Sequence, residues 1–186
     1  MTFLRKLTML ASGLAAVALL SAPASAQLAQ NSDAPVDLTA DELEVLNSQC
    51  LSIWRGSAEA LQDNARLRAD VLKTFFQVTG ATRTGSATST NCGALARIEA
   101  EGNVFYVTPE QRVRGRHAVY DATNETITVT GDVVTAQGQN VLRGERLVIN
   151  VRTGQAQMHT DVKGRGKPGR VSGVFYPDQQ QPPQAR

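Results

Sequence analysis

The sequence predicts an all-β protein built from stacked strand-turn-strand units, and three observations carry that reading. First, the stretch Arg97 to Arg152 repeats itself. Gly102-Asn103-Val104 precedes Arg114-Gly115 by the twelve positions that also separate Gly131-Asp132-Val133 from Arg143-Gly144, a period of 131 − 102 = 29 residues. Second, superposed positions keep their chemical class: Ile98 falls on Ile127, Ala100 on Val129, Val104 on Val133, Val113 on Leu142, Ala118 on Leu147 and Tyr120 on Ile149. Third, each unit holds two runs of alternating apolar and polar residues around a polar turn, as strands with one buried face do. A single unit cannot bury its own apolar face, so neighbouring units must stack.

At the start of the chain, Arg5 and Lys6 precede an apolar run from Leu7 to Leu20, and Ala24-Ser25-Ala26 supplies the small residues a signal peptidase reads. Residues 1–26 therefore read as a cleavable secretory signal peptide, because the apolar run is shorter than the roughly twenty residues of a membrane span. A retained anchor helix is the alternative reading. No cysteine follows the run, so no lipoprotein site is expected, and the exported chain is expected to begin near Gln27. Export changes the charge balance: 19 Lys+Arg against 17 Asp+Glu loses Arg5 and Lys6, leaving 17 against 17. A neutral exported chain is a poor match to nucleic acid. About 160 residues remain, enough for one domain with its own core.

Residues 27–35 lack periodicity and read as a flexible lead-in to a domain over 36–176. Leu38 to Leu46 alternates loosely, as one first strand would, and Ile53 and Trp54 then precede Gly56 as Ala100 precedes Gly102. Residues 57–73 are rich in helix formers, including Ala58, Glu59, Ala60, Leu61 and Leu67. The repeat argues for strand-turn-strand instead. Arg68-Ala69 follows Gly56 by twelve positions, and Gln62-Asp63-Asn64-Ala65 aligns with the turn-like Thr108-Pro109-Glu110-Gln111 and Gln137-Gly138-Gln139-Asn140. Residues 79–93, rich in Ser, Thr, Gly and Ala, read as a loop inserted between the first unit and the second. After Val151 the pattern weakens. A basic Gly-rich connector over 163–170 follows, then a short strand within Val171 to Tyr176, then a disordered Gln- and Pro-rich tail over 177–186.

Catalytic chemistry is hard to place on this chain. No HExxH, GxSxG, P-loop or EF-hand pattern occurs after residue 26, and no metal site or cofactor is expected. His117 and His159 are far apart, and His117 reads as a solvated strand residue. Glu99 and Glu101 alternate with Ile98 and Ala100, as on a polar outer face. Arg112, Arg114 and Arg116 share one strand face and, with Arg66, Arg68 and Arg143, read as charges that keep a sheet wet; phosphate recognition is the second reading. Cys50 and Cys92 are the only cysteines. In an oxidising compartment an even count invites a disulfide, worth about 4 kcal/mol for this spacing in the chain-entropy estimate, the alternative being two unpaired thiols. The opposite sheet face is more telling. Ile98, Val104, Tyr106, Tyr120, Ile127, Val129, Val133, Leu147, Ile149 and Val151 fall on aligned stripes that should line one continuous apolar interior.

Four segments carry a family resemblance: Glu101-Gly102-Asn103-Val104, Arg114 to Asp121, Thr128 to Val133 and Leu142 to Val148. They resemble the OstA-like repeat of the LptA family, periplasmic proteins of lipopolysaccharide export, and Val36 to Glu42 resembles that family's opening segment. The likeness spans about residues 36–176. It implies an open antiparallel β-jellyroll, two sheets folded in a V with a greasy groove between them. It further implies a non-enzymatic bridge in which lipopolysaccharide acyl chains occupy the interior. Such units stack end to end with one another, with an LptC-like inner-membrane domain and with an LptD-like outer-membrane domain. The Cys-bearing insertion at 79–93 and the helix-prone first unit depart from the family's pattern. The readings that compete with this one are a structural β-solenoid or envelope scaffold with no ligand, and an LptC-like relay component.

Overall fold

The computed structural model describes residues 28–30, 32–84 and 87–177. The segments read as signal peptide, 1–26, and as disordered tail, 177–186 apart from Pro177, lie outside the described residues. Ten strands are described: β1 Asp37–Thr39, β2 Glu42–Leu46, β3 Leu51–Gln62, β4 Ala65–Thr84, β5 Ala87–Val107, β6 Arg112–Asp121, β7 Thr126–Gln137, β8 Asn140–Asn150, β9 Ala156–His159 and β10 Ser172–Val174. A 3-10 turn at Asn47–Gln49 precedes β3. All pairs are antiparallel, in the order β1-β3-β4-β5-β6-β7-β8-β10, with β2 also on β3 and β9 also on β8. The architecture is an open, unclosed antiparallel jellyroll.

The doubled edges show how the sheet is folded. β1 pairs with Glu59 to Leu61 of β3 while β2 pairs with Leu51 to Arg55. At the other side β9 pairs with Arg146 to Ile149 of β8 while β10 pairs with Val141 to Arg143. Each long strand thus serves two half-sheets, which meet along a line crossing β3 to β8. The first half holds β2, residues 51–55, 71–75, 97–101, 117–121, 126–130 and 146–150, and β9. The second holds β1, residues 58–62, 65–69, 104–107, 112–115, 133–137 and 140–144, and β10.

The repeated glycine motifs make that line. Register shifts fall at Arg55/Ala58, Glu101/Val104 and Thr130/Val133 on one set of strands, opposite Arg68/Val71 and Arg114/His117 on the other. Gly102 and Asn103 have φ of 74° and 43°, and Gly131 and Asp132 have 82° and 48°, so two successive residues sit in the left-handed region. A glycine followed by a small polar residue tolerates this, where a β-branched pair would not. Each such pair is a bulge that bends its strand. The Arg-Gly motifs lie on the partner strands: a Cβ at Gly115 would come within 2.4 Å of Val129 Cγ1 and 3.0 Å of the Thr130 carbonyl oxygen. The corner is crowded on its inner side, which is why the second motif also ends in glycine.

The helix formers of 57–73 lie in a β3–β4 hairpin turning at Asp63-Asn64, where Asp63 takes φ of 50°. Alternation decides here: Ala58, Ala60 and Gln62 point inward and pair across to the inward Ala65, Leu67 and Ala69, so pairing outweighs a weak helix preference. Three expectations are corrected. Leu38 to Leu46 is two strands, since the chain crosses the fold line at Ala40-Asp41, where the Asp41 amide donates to the Gly56 carbonyl at 3.1 Å. The presumed loop 79–93 is the outer part of a long β4–β5 hairpin, paired out to Thr84 and Ala87. Its Ser/Thr-rich composition fits a two-stranded ribbon as well as a loop, because threonine favours extended backbone. The lead-in is docked at Leu28 and Ala29, which are buried.

The hairpin is tied down at its base. Cys50 and Cys92 form a disulfide with Cα atoms 5.4 Å apart, and the Phe76 amide donates to the Cys50 carbonyl at 2.8 Å. The Thr90 hydroxyl donates to the Ser48 carbonyl at 3.3 Å. On the opposite side, Asp121 organises the β6–β7 turn, accepting from the amides of Thr123 and Asn124 at 2.8 and 3.1 Å. Desolvation opposes ionisation of this carboxyl, but the Asn124 and Thr123 hydrogen bonds and nearby Arg97 together hold it below the ordinary aspartate range.

Two outcomes follow from this framework. Gly102→Ala places a Cβ 2.3 Å from Asp70 Oδ2 at φ of 74° and should cost about 1–3 kcal/mol. Gly138→Ala, at φ of 57° in open space, should cost less; urea midpoints of the two variants check the order. Cys92→Ser should lower the melting midpoint by roughly 5–15 °C. Reductant should produce the same shift in the unmodified chain and none in the variant.

Candidate functional site

The two half-sheets turn their apolar faces toward each other. Across the first half one inner row runs Thr74, Ile98, Tyr120, Ile127, Ile149, and a second, nearer the fold line, runs Leu72, Ala100, Ala118, Val129, Leu147. Across the second half the row is Ala60, Leu67, Tyr106, Val113, Thr135, Leu142, with Val104 and Val133 beside the line. Of the ten interior residues named from sequence, none is more than 3% exposed. The structure brings all ten into one buried cluster.

The same cluster contains Leu28, Leu67, Leu72 and Val113, with Trp54 and Met158 packed against it. The superposed repeats pair Val113 with Leu142, but Leu67 and Leu72 stay off the interior stripes because the inward phase breaks at each corner. Inward residues run 115 to 118 and 144 to 147 on the Arg-Gly strands, a step of three, but 100 to 104 and 129 to 133 on the Gly-Asx strands, a step of four. A reading that allowed one phase break per strand would have placed Leu67 and Leu72 on one face.

Chemically the interior offers area without direction. Its buried polar residues are Gln62, Thr74, Thr135 and Ser32. Among the described residues no buried side-chain polar atom lacks a partner, and no group of His, Cys, Asp and Glu is placed to hold a metal ion. Such a surface binds hydrocarbon by removal from water, at about 25 cal/mol per Å².

Among the described residues, two cavities adjoin the interior. A cavity of about 410 Å³ lies between the free tips of the two halves, lined by Tyr106, Gln111 and Gln137 on one side and Ile149, Val151 and Thr153 on the other. A smaller one of about 130 Å³ opens at the β8–β9 end, lined by Thr135, Leu142, Leu147, Met158 and Phe175.

Residues 28–30 and 32–34 lie across the larger mouth as a strap. On the second half, Gln62 is its anchor: the side-chain oxygen accepts from the amides of Leu28 and of Ala29, the latter at 3.1 Å, and its amide nitrogen donates to the Ala34 carbonyl at 2.7 Å. The Ser32 hydroxyl donates to Asp63. Tyr106 donates its phenolic proton to the Leu28 carbonyl at 2.8 Å. Burial, then Glu110 and Tyr120, push that phenol up to about 12, so it remains a neutral donor. On the first half, the Gln30 side chain donates to the Arg152 carbonyl at 3.1 Å. The sequence held one hint of this: Gln62 is a polar residue at an inward position, which demands partners.

Gln62→Ala removes three of these bonds. Amide exchange at Leu28 and Ala29 should rise sharply while exchange in β5 to β8 is unchanged; unaltered protection at Leu28 would show that the strap is held by other contacts.

Comparison with known proteins places this geometry. Residues 37–172 match the family described as LptA/(LptD N-terminal domain) LPS transport protein. An uncharacterised protein of Rhizobium meliloti strain 1021, R00383, is 32% identical over 151 residues, covering 80% of this chain and 78% of that protein. Among solved structures, LptH is the LptA-homologous periplasmic component of the lipopolysaccharide transport device of Pseudomonas aeruginosa. It matches with a TM-score of 0.62 at 15% identity, over 80% of this chain and 99% of that chain. That likeness is one of fold.

Proposed function

The chain belongs to the LptA/LptD N-terminal-domain family of lipopolysaccharide transport proteins, and from that premise we propose that it carries lipopolysaccharide through the periplasm with the acyl chains held between its half-sheets. The observation that supports this most directly is the unbroken apolar interior across β3 to β8. Six strands at about 4.8 Å spacing make a trough about 25 Å long, a shape suited to extended hydrocarbon. Loading requires the halves to part and the strap at Leu28 to lift.

Bridging follows from the edges. β1 and β2 on one side, β9 and β10 on the other, each pair with one neighbour only. Another jellyroll can extend such an edge by strand addition. Head-to-tail self-association, and docking to LptC-like inner-membrane and LptD-like outer-membrane jellyrolls, would then join successive troughs. Acyl transfer along such a path breaks no covalent bond, so no catalytic constellation is called for, and the protein is read as a carrier rather than an enzyme.

One observation favours the rival structural reading: the ten interior residues are almost wholly buried, as they would be in a ligand-free scaffold. A photo-crosslinker at Val129 or Ile149 separates the two, since a carrier yields lipid adducts and a scaffold only protein adducts. Ile127→Asp or Ile149→Asp should abolish lipid co-purification measured by mass spectrometry, because a carboxylate would lie where an acyl chain must. Undiminished loading in a variant with an unchanged β-sheet spectrum would refute the interior site.

A further inference from the structure

The outer faces of the two halves differ in charge. On the first half, three cations are matched by acids, Arg55 with Glu44 at 2.9 Å, Lys73 with Glu101 at 2.6 Å and Arg97 with Glu99 at 3.1 Å, and Arg146 alone on these outer rows has no ion pair among the described residues. On the second half one outer row reads Arg68, Phe105, Arg114, Val134, Arg143 across five strands, and the next reads Arg66, Val107, Arg112, Ala136, Val141. The nearest acid on these rows is Glu59, which pairs with both Arg66 and Arg68, at 3.4 and 3.2 Å. Arg112, Arg114 and Arg143 have no ion pair among the described residues.

Between these guanidinium groups the surface is apolar. Phe105 is 44% exposed and Val174, at the end of the second row, 56%. A shallow cavity of about 360 Å³ is bounded by Phe105, Val107, Val134 and Ala136 with Arg112, Arg114 and Arg143 around it. A second, of about 220 Å³, adjoins it on the far side of Arg143 toward Val174 and Tyr176. The first half also has exposed apolar side chains, Leu43 at 51% and Val45 at 53%, but these lie on the edge strand β2 in register with Trp54 and Ser52 of the inner rows, and the aliphatic residues of its outer rows, Ile53, Val71, Val119 and Val148, are half-buried.

We propose that this outer face of the second half docks on the surface of an anionic phospholipid bilayer. Guanidinium groups bind phosphate through parallel hydrogen bonds, and they hold apolar stems beside the headgroups while keeping the charge at the phosphate. Phe105 is the seat at the headgroup boundary, where aromatic rings are favoured. An acidic protein partner would satisfy the arginines but has no need of an aromatic and aliphatic alternation spread over five strands. The face is on the opposite side of the sheet from the interior trough, so the two can be occupied together.

The test is co-sedimentation of the processed chain with phosphatidylcholine vesicles, with and without phosphatidylglycerol, in the absence of lipopolysaccharide. Its first residue is verified by mass so that Leu7 to Leu20 cannot act as an anchor. Binding should require phosphatidylglycerol and weaken with salt. Arg114→Ala and Arg143→Ala should each weaken it about fivefold and together about twenty-five-fold. Phe105→Ala should weaken it several-fold without altering the salt dependence. Arg146→Ala, on the first half, should leave it unchanged. Absence of phosphatidylglycerol-dependent binding, or equal losses in Arg146→Ala and Arg114→Ala, would overturn the docking face. Either result leaves the interior lipid-loading experiment free to succeed or fail.

Discussion

The structure depends on a mismatch of one residue at the fold line. Between inward positions on either side of the corner, the Gly-Asx strands insert three residues and the Arg-Gly strands two, so every neighbouring pair carries a bulge at the same level. Because side chains alternate with a period of two, a single unmatched slip would send one half's apolar set to solvent. The bulges absorb that slip at the corner itself. Gly102-Asn103 and Gly131-Asp132, both left-handed, and the crowded Gly115 on the facing strand let the same apolar stripe face inward on both sides of the bend. The fold line, the trough and the order of the edge strands all follow from it.

Much of this was legible in the sequence, and the parts that were not have physical reasons. The repeat of 29 residues exposed the strand pairs and their turns, since Thr108 to Gln111 and Gln137 to Asn140 carry turn chemistry in register. It also overrode the helix preference of 57–73. The bend was not legible, because glycine followed by asparagine or aspartate reads equally well as a hairpin turn or a bulge. Leu38 to Leu46 was read as one strand for the same reason: nothing local marks Ala40-Asp41 as the place where the chain passes from one half to the other. The outer β4–β5 ribbon escaped because Ser, Thr and Gly mark exposed backbone, whether paired or not.

The polar interior residues are few, and the partners of Thr74 and Gln62 show the need that each meets. Thr74 accepts from the Trp54 indole at 3.3 Å, which gives that ring's nitrogen a partner as it packs against the apolar cluster. Gln62 lies at the tip of β3, where an aliphatic side chain would have left the amides of Leu28 and Ala29 without acceptors. Unpartnered amides are costly when buried. Polar groups therefore sit at the mouth and toward both ends, Thr74 on β4 and Thr135 on β7, while the inner rows of β5 and β6 between them carry no Ser, Thr or Gln. This distribution suits the proposed carrier, since a directional contact in the middle would fix a ligand in one position.

The strap has a further consequence for how the mouth can open. A hydrogen bond from an ordinary tyrosine could be weakened by deprotonation in alkali, but burial and Glu110 raise the Tyr106 phenol to about 12. Its bond to the Leu28 carbonyl is therefore present across the whole range in which the fold operates. No proton at neutral pH releases it, and the Gln62 bonds carry no titrating group at all. Leu28 is a buried aliphatic residue on a segment held by neutral hydrogen bonds to Gln62, Tyr106 and the Arg152 carbonyl, each worth about 1 kcal/mol net, and by the bond from Ser32 to the Asp63 carboxylate. An entering hydrocarbon replaces the apolar contact it removes, and solvent replaces the hydrogen bonds. Displacement of the strap by such a chain would be close to balanced, which is consistent with the proposed carrier.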